Sequence, residues 1–288
     1  MLETEHSGSV EGKTFVITGA NTGIGRATVQ ALAARGASRI LVASRSHART
    51  QPVLDTLAAA NPAVETAFVA IELGNLASVA RAADEVLKRN WTIDALINNA
   101  GIAGLRGITK DGFELTFGTN YLGHFLWTEK LLPLVQKAPQ GRIVNVSSTG
   151  HYRAKSIDWD ALRRPTASTT ALPEYSVSKL CNVLHAKELA RRLSSTKVTT
   201  YSLHPGGVAS DIWQRRLGTF ASILKLFLIT NEEGAKTQLR CATDPALASD
   251  SGYYYDHEQR RTESRLAMDE SLQDELRVRS TQWVRTFL

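Results

Sequence analysis

Lys13–Gly25 reads KTFVITGANTGIG, a short apolar run followed by a turn that carries three glycines. The apolar run predicts a buried strand, and the periodic apolar residues up to Ala34 predict a helix that ends at Gly36. A strand, a glycine-rich turn and a helix in this order place backbone N–H groups and a helix N-terminus against a phosphate. The stretch therefore predicts a dinucleotide site, and a plain strand-to-helix turn is the alternative.

The same alternation of strands and helices continues along the chain. Further strands are predicted at 39–43, 64–71, 95–97, 142–146, 198–203 and 252–255, and further helices at 52–60, 76–89, 112–135, 173–193 and 231–242. Alternating elements favour an α/β fold with a parallel sheet covered on both faces. We expect one Rossmann-type domain over 1–288, a doubly wound parallel sheet of about seven strands with helices on both faces.

Unusual polar residues cluster directly after four of the predicted strands, at 19–25, 98–101, 147–148 and 204–206. Ligands of open parallel sheets bind at the carboxyl ends of the strands. The four clusters are therefore expected to form one site.

Tyr175 and Lys179 stand four residues apart in a predicted helix, and so on one helix face. A free tyrosine has a pKa of about 10, and a nearby ammonium favours the phenolate. Such a pair can exchange a proton with a carbonyl or an alcohol. A chance pairing on a helix surface is the alternative.

The end of the second strand predicts the choice of nucleotide. NAD-binding chains usually place an acidic residue there to hold the ribose 2′-hydroxyl, whereas this chain has Ser44, Arg45 and Ser46. A guanidinium pairs with a 2′-phosphate, so NADP(H) is the expected cofactor. Alternatively, Arg45 is a solvated residue at the start of a helix.

Composition excludes several classes of function. The formal charge of +6 is dispersed, with no basic block, which argues against nucleic-acid binding. The two cysteines, Cys181 and Cys241, form no metal or disulfide pattern and suit a reducing compartment, so we expect a cytoplasmic protein. Residues 1–11 are polar, and no apolar run reaches the roughly 18 residues of a membrane span.

Taken together, these motifs resemble the short-chain dehydrogenase/reductase family over essentially the whole chain. They are Thr18–Gly25, Asn98–Gly101, Asn120, Ser148, Tyr175 with Lys179, and Pro205 with Gly206. Within that family the chain is most similar to the retinol dehydrogenase group, through the local phrases at 120–126, 142–148, 178–180 and 198–206.

The resemblance implies four catalytic residues. Tyr175 would give a proton to a carbonyl oxygen or take one from an alcohol, and Ser148 would orient that oxygen. Lys179 would lower the pKa of Tyr175 and hold the nicotinamide ribose, and Asn120 would position a water that links Lys179 to solvent.

The resemblance also implies the residues that bind NADP(H). They are Gly19, Asn21, Thr22, Gly23, Ile24, Gly25, Arg45, Glu72, Leu73, Asn99, Ala100, Gly101, Tyr175, Lys179, Pro205, Gly206 and Val208. Self-association into a homo-oligomer through the helices at 112–135 and 175–193 is a further expectation.

The chain differs from the usual pattern of the family in three respects. Ser148 and Tyr175 are 175 − 148 = 27 residues apart, which leaves an insertion at 151–172 that the retinol group shares. Glu72 replaces the usual Asp before Leu73. An apolar N-terminal anchor like that of membrane-bound retinol enzymes is not expected here.

The expected substrate is a hydrophobic aldehyde or ketone, or the matching alcohol. Residues 208–231 are strongly apolar and are predicted to cover the substrate pocket, while packing on the core or peripheral contact with a membrane or a partner are the alternatives. Residues 261–288 predict an amphipathic helix.

Two other functions stay open at this point. One is a non-catalytic module that senses NADP(H) while binding a partner. The other is a tetrapyrrole reductase, because Cys181 is similar to a cysteine of light-dependent protochlorophyllide reductases.

Overall fold

The computed structural model describes residues 8–206 and 230–288. Val208 and all but the last two residues of the predicted apolar segment lie outside these ranges.

One eight-stranded sheet organises the described chain. Its strands lie in the order β3-β2-β1-β4-β5-β6-β7-β8, and all neighbours are parallel except β7 and β8. The strands are β1 (Thr14–Thr18), β2 (Arg39–Ser44), β3 (Glu65–Ala70), β4 (Ala95–Asn98), β5 (Arg142–Val146), β6 (Thr199–His204), β7 (Tyr253–Asp256) and β8 (Gln259–Arg261). The predicted α/β fold with seven parallel strands is confirmed.

The antiparallel eighth strand was not predicted. All three residues of β8 are exposed and polar, so no apolar run indicates a strand. The turn before it contains His257 and Glu258, both with positive φ, where hairpin turns of this kind usually carry Asn or Gly. Neither of the usual sequence signals for a hairpin is therefore present.

Eight α-helical segments accompany the sheet in the described ranges. They are α1 (Gly23–Ala34), α2 (His47–Ala60), α3 (Leu76–Arg89), α4 (Leu115–Phe117), α5 (Gly123–Val135), α6 (Leu172–Arg192), α7 (Asn231–Thr243) and α8 (Glu270–Val284). A π-helical turn, Gly118–Leu122, joins α4 to α5. The C-terminal helix is shorter than predicted, because the chain before it forms β8 and a 3₁₀ turn.

The two faces of the sheet are covered by separate apolar clusters. Val16 of β1 belongs to the cluster formed with α3, α5, α6 and α8, whereas Phe15 and Ile17 belong to the cluster formed with α1, α2 and α7. Alternate residues of a strand point to opposite faces, so a strand buried on both faces is apolar throughout. With both faces covered, the carboxyl ends of the strands meet at one edge of the sheet.

The predicted insertion packs against the body near this edge. Trp159 lies 6.5 Å from Trp283 of α8 between ring centroids. The buried carboxylate of Glu114 accepts a hydrogen bond from the Thr166 hydroxyl and another, 2.8 Å long, from Phe117 N. The insertion is thereby attached both to α8 and to the start of α4.

Candidate active site

The glycine-rich turn packs directly against the loop that follows β4. Gly19 has a φ of +69°, and a Cβ there would lie 2.9 Å from the Cβ of Ala100. A Cβ on Gly25 would lie only 2.6 Å from Nδ2 of Asn99. Glycine is therefore required at both positions, by backbone conformation at Gly19 and by close packing at both. The two predicted motifs form one surface.

The first turn of α1 fits the anionic part of a dinucleotide. Its N-cap, Thr22, makes no side-chain cap, and no acidic residue lies in that turn. The first N–H groups of a helix have no partner within the helix and carry a partial positive charge. They suit a pyrophosphate, and Gly23 with a φ of +57° lets the chain enter the helix tightly.

Thr18, the last residue of β1, holds the loop after β4 in place. Its Oγ1 accepts hydrogen bonds from the backbone N–H groups of Asn99 and Ala100, both at 3.0 Å. The Asn99 side chain returns a bond of 2.8 Å from Nδ2 to the Thr18 carbonyl. Asn99 and Ala100 are thus fixed relative to the glycine-rich turn by three hydrogen bonds.

Asn120 lies in the π-helical turn and is fully buried. Its Oδ1 accepts from Ile102 N at 2.8 Å, and its Nδ2 donates to Ile102 O at 2.9 Å and to Ser178 Oγ at 3.0 Å. A Cβ on Gly101 would lie 3.4 Å from both Asn120 Oδ1 and Lys179 Nζ. Asn120 and Lys179 therefore face the same small space beside Gly101.

Lys179 and Tyr175 project from α6 toward the end of β5. Lys179 is 4% exposed, and its Nζ donates to the Val146 carbonyl at 2.9 Å and lies 5.7 Å from the centroid of the Tyr175 ring. Burial lowers the pKa of Lys179 to about 8. Burial raises the pKa of Tyr175, against the opposing effect of the neighbouring Ser148 hydroxyl. Lys179 makes no contribution to this shift, so the lowering of the Tyr175 pKa by Lys179 stays a prediction.

Ser148 and Tyr175 meet because Gly150 leaves room for them. Ser148 begins the 3₁₀ turn Thr149–Arg153, and its Oγ accepts from Gly150 N at 3.0 Å. A Cβ on Gly150 would lie 3.3 Å from Cε1 of Tyr175 and 3.4 Å from the Ser148 Oγ. Sequence reasoning missed Gly150, although its position directly after the Ser148-Thr149 pair was a usable signal.

Arg45 and Glu72 lie together at the far end of the site. They follow β2 and β3, which are neighbouring strands, and Arg45 Nη1 lies 3.9 Å from Glu72 Oε2. Both side chains are exposed, at 68% and 48%. An ion pair this exposed contributes little to stability, so the Arg45 guanidinium is available to an anionic ligand. The Leu73 side chain is instead buried in the core.

The remaining predicted residues follow β6. Pro205 and Gly206 lie beyond His204, and Gly206 has a φ of +90°. The predicted contact of Val208 lies outside the described residues.

His124 is a site residue that sequence reasoning missed. It is 2% exposed, its Nε2 lies 2.8 Å from Thr18 Oγ1, and its Nδ1 lies 3.0 Å from the Asn120 carbonyl oxygen. His124 belongs to the segment 120–126, one of those on which the family resemblance rests. No local sequence pattern predicted its contact with Thr18, which is 106 residues away.

Residues 8–206 and 230–288 contain neither a membrane-spanning helix nor a metal-binding cluster. No helix there has the length and apolar character to cross a membrane. No cluster of three or more His, Cys, Asp or Glu side chains there is arranged for a metal ion.

The chain is similar in sequence to known proteins. A family model described as short chain dehydrogenase matches residues 13–158. Dehydrogenase/reductase SDR family member 13 of Homo sapiens is 38% identical over 254 residues, which cover 86% of this chain and 67% of that protein. Retinol dehydrogenase 12 of Homo sapiens is 37% identical over 247 residues, covering 85% of this chain and 77% of that protein.

A solved structure is similar over most of the chain. It is the NADPH-bound carbonyl reductase from chicken fatty liver, with a TM-score of 0.67 and 26% sequence identity, covering 88% of this chain and 99% of that chain.

Proposed function

The chain belongs to the short-chain dehydrogenase family and is retinol dehydrogenase-like, and we propose that it uses NADP(H) to interconvert a hydrophobic aldehyde or ketone and its alcohol. One observation carries the proposal. Ser148 and Tyr175 lie side by side at the same sheet edge as the glycine-rich turn, since a Cβ on Gly150 would lie 3.4 Å from the Ser148 Oγ and 3.3 Å from Tyr175 Cε1. Lys179 Nζ lies 5.7 Å from the centroid of the phenol ring.

The chemistry divides between the cofactor and the chain. The nicotinamide, when bound, carries the hydride. Ser148 and Tyr175 present two hydroxyl groups to the substrate oxygen. During reduction Tyr175 gives its proton to that oxygen, and during oxidation it takes the proton back. Since the pKa of Lys179 is about 8, most of the lysine is cationic at neutral pH and stabilises the phenolate that remains.

The nucleotide is proposed to lie along the edge from α1 to Arg45. The uncapped first turn of α1 would hold the pyrophosphate, and Arg45 would pair with the 2′-phosphate. The exposed guanidinium and the absence of a carboxylate from Ser44, Arg45 and Ser46 support NADP(H) over NAD(H). The similar carbonyl reductase, which binds NADPH, supports the same choice.

The proposed substrate class rests on the relatives and on the sequence. A relative at 37% identity is named a retinol dehydrogenase, and the segment at 208–231 is strongly apolar. Both support a substrate with a large apolar part.

Neither of the two alternative functions has a specific observation in its favour. The side-by-side placement of Ser148 and Tyr175, with Lys179 near the phenol ring, argues against a non-catalytic sensing module. Cys181 is fully buried, and burial raises the pKa of its thiol well above the usual value, so it stays protonated. A buried neutral thiol is an unreactive core residue, which removes the reason for a tetrapyrrole reductase.

The test is NADPH oxidation by the purified protein against retinal, long-chain aldehydes, aromatic aldehydes and ketosteroids, with NADH in parallel. We expect turnover of hydrophobic carbonyls with NADPH. Preference for small polar ketones would contradict the substrate class, and equal efficiency with NADH would contradict the nucleotide. NADPH binding without turnover of any carbonyl would favour the sensing module.

The cytoplasmic location, the single-domain organisation and the homo-oligomer stay predictions. Sedimentation of the purified chain tests the last of them, and a monomer would contradict it.

A further inference from the structure

His124 of α5 lies between the end of β1 and the turn that carries Asn120. One ring nitrogen, Nε2, contacts the hydroxyl of Thr18, and the other, Nδ1, contacts the backbone carbonyl of Asn120. Thr18 is 106 residues away in sequence, at the end of β1. The ring therefore contacts Thr18, which holds the loop after β4 (99–101, called the nucleotide loop), and Asn120, which belongs to the predicted catalytic set.

Counting donors and acceptors fixes the tautomer of this ring. A threonine hydroxyl has one proton and two acceptor sites. Thr18 Oγ1 already accepts from Asn99 N and Ala100 N, so its own proton points to His124 Nε2. Nε2 is therefore unprotonated, and Nδ1 carries the hydrogen that it donates to the Asn120 carbonyl. Burial, which lowers the pKa of His124 to about 4, keeps the ring neutral.

The hydrogen bonds continue beyond Asn120 into the catalytic helix. The Asn120 side chain donates to Ser178 Oγ, and Ser178 is the neighbour of Lys179 in α6. The hydrogen bonds thus run from Thr18 to His124 and the Asn120 backbone carbonyl, and from the Asn120 side chain to Ser178, with Asn120 itself joining the two parts. They join the strand end that shapes the nucleotide loop to the helix that carries Tyr175 and Lys179.

We propose that His124 is a positioning residue of this active site, whose neutral Nδ1–H ring sets the placement of the nucleotide loop relative to Asn120 and the catalytic helix. The Thr18 bond fixes the nucleotide loop, and the Asn120 bond fixes the catalytic side. The proposal rests on the proposed function, because the distance between the nucleotide loop and the catalytic helix affects catalysis only if the protein binds a nucleotide and uses Lys179.

Three substitutions separate the two bonds. The amide of His124→Gln reaches the position of Nε2 and keeps an acceptor for Thr18, but it loses the donor to Asn120. The amide of His124→Asn lies at the position of Nδ1 and keeps the donor, but it does not reach Thr18. The ring of His124→Phe keeps the volume and loses both bonds. His185→Phe is the control, because His185 is similarly buried near Phe125 and its Nε2 forms no hydrogen bond within 8–206 and 230–288.

We expect a different readout for each bond. The Kd for NADPH should rise about tenfold in His124→Asn and His124→Phe, which lack the Thr18 bond, and stay within about twofold in His124→Gln. The kcat should fall about tenfold in His124→Gln and His124→Phe and stay within about twofold in His124→Asn. His185→Phe should leave both unchanged. Equal losses of stability in the three His124 variants, with Kd and kcat unchanged, would overturn the proposal.

A second measurement needs neither a variant nor a substrate. The ¹⁵N chemical shifts of His124 in the wild-type protein report which ring nitrogen is protonated. A protonated Nδ1 with a bare Nε2 is expected, and the opposite tautomer would overturn the proposal. Because this tautomer and the NADPH Kd are measured without turnover, a failed carbonyl panel would contradict the proposed function while leaving this result interpretable.

Discussion

The site has two sides that differ in how their buried polar atoms are bonded. At the ends of β1 and β4, the Thr18 hydroxyl alone takes part in three hydrogen bonds. The Asn99 side chain donates to the Thr18 carbonyl, and the Asn120 side chain accepts from Ile102 N. In β6 and β7, Ser202 Oγ, His204 Nδ1 and Tyr254 OH are buried and form no hydrogen bond within 8–206 and 230–288.

These atoms occupy facing positions across two paired strands. Ser202 pairs with Tyr254 in the register of β6 and β7, and His204 pairs with Asp256. Asn98 Oδ1, at the end of β4, is also buried without a partner in the described residues. The difference is that the loop after β4 is held by the protein's own hydrogen bonds, whereas three neighbouring polar groups in β6 and β7 are left unbonded by the described residues. The cost of a substitution should therefore depend on the side that it alters.

The largest effect is expected where the two sides meet, at Tyr175. Tyr175→Phe removes the group that transfers the proton, so kcat should fall about a thousandfold while the Kd for NADPH stays within about twofold. Steady-state kinetics and fluorescence titration with NADPH measure the two values. Tyr201→Phe is the control, since the Tyr201 hydroxyl donates to Leu247 O on the other face of the sheet. Retained turnover in Tyr175→Phe would show that another group moves the proton.

A matched pair of buried hydroxyls compares the two sides directly. Thr18→Val keeps the shape of the side chain but leaves Asn99 N and Ala100 N without an acceptor. It should lower the free energy of unfolding by about 3 kcal/mol and weaken NADPH binding. Ser202→Ala removes a hydroxyl that has no partner in the described residues, so it should change the free energy of unfolding by less than about 1 kcal/mol.

Urea unfolding of both variants, with NADPH titration alongside, measures this difference. An equal loss of unfolding free energy in Thr18→Val and Ser202→Ala would contradict the contrast between the two sides.

Acid should destabilise the protein through two buried histidines. Burial lowers the pKa of His124 to about 4 and that of His185 to about 3, below the ordinary value of 6.5. Between pH 6.5 and the lowered pKa of each histidine, the unfolded chain binds more protons than the folded chain. The free energy of unfolding therefore falls as the pH falls through this range. At pH 5 each histidine should cost about 2 kcal/mol relative to pH 8.

Urea unfolding of wild type and His185→Phe at pH 8 and pH 5 isolates one of these contributions. The fall between the two pH values should be about 2 kcal/mol smaller in His185→Phe. An identical fall in both proteins would mean that His185 takes up no extra proton on unfolding.

The smallest effect is expected at the exposed end of the nucleotide side. Arg45→Ala should raise the Kd for NADPH about tenfold and leave the Kd for NADH unchanged, since only NADPH carries the 2′-phosphate. Arg81→Ala removes the same charge from an exposed position in α3 and is the control. Equal weakening of both nucleotides in Arg45→Ala would indicate a general charge effect.

The sequence predicted the fold because its signals are local. Apolar runs mark the parallel strands, and the glycine-rich turn marks the junction of β1 and α1. The polar residues after the strands predicted that the loops converge, the spacing of Tyr175 and Lys179 placed both on one helix face, and the family resemblance implied the role of Ser148. The hairpin to β8 could not be predicted, since His257 and Glu258 adopt positive φ without a glycine or asparagine.

The missed features of the site depend on tertiary contacts. The register shift at Gly118–Leu122 changes which backbone groups are bonded, and the pattern of apolar residues does not encode it. His124 acquires its role only when α5 packs beside the end of β1. The raised pKa of Tyr175 likewise reflects burial that a Tyr-Lys spacing does not reveal.

The central claim is that this chain transfers a hydride from NADPH to a carbonyl with Tyr175 as the proton donor. The most direct measurement is mass spectrometry of the product formed from retinal or another hydrophobic aldehyde with NADPH deuterated at C4, using each of the two C4 epimers in turn. The account predicts one deuterium on the carbinol carbon from one epimer, none from the other, and one NADPH consumed per alcohol formed. Alcohol that carries no deuterium from either epimer, or no alcohol from any carbonyl tested, would contradict it.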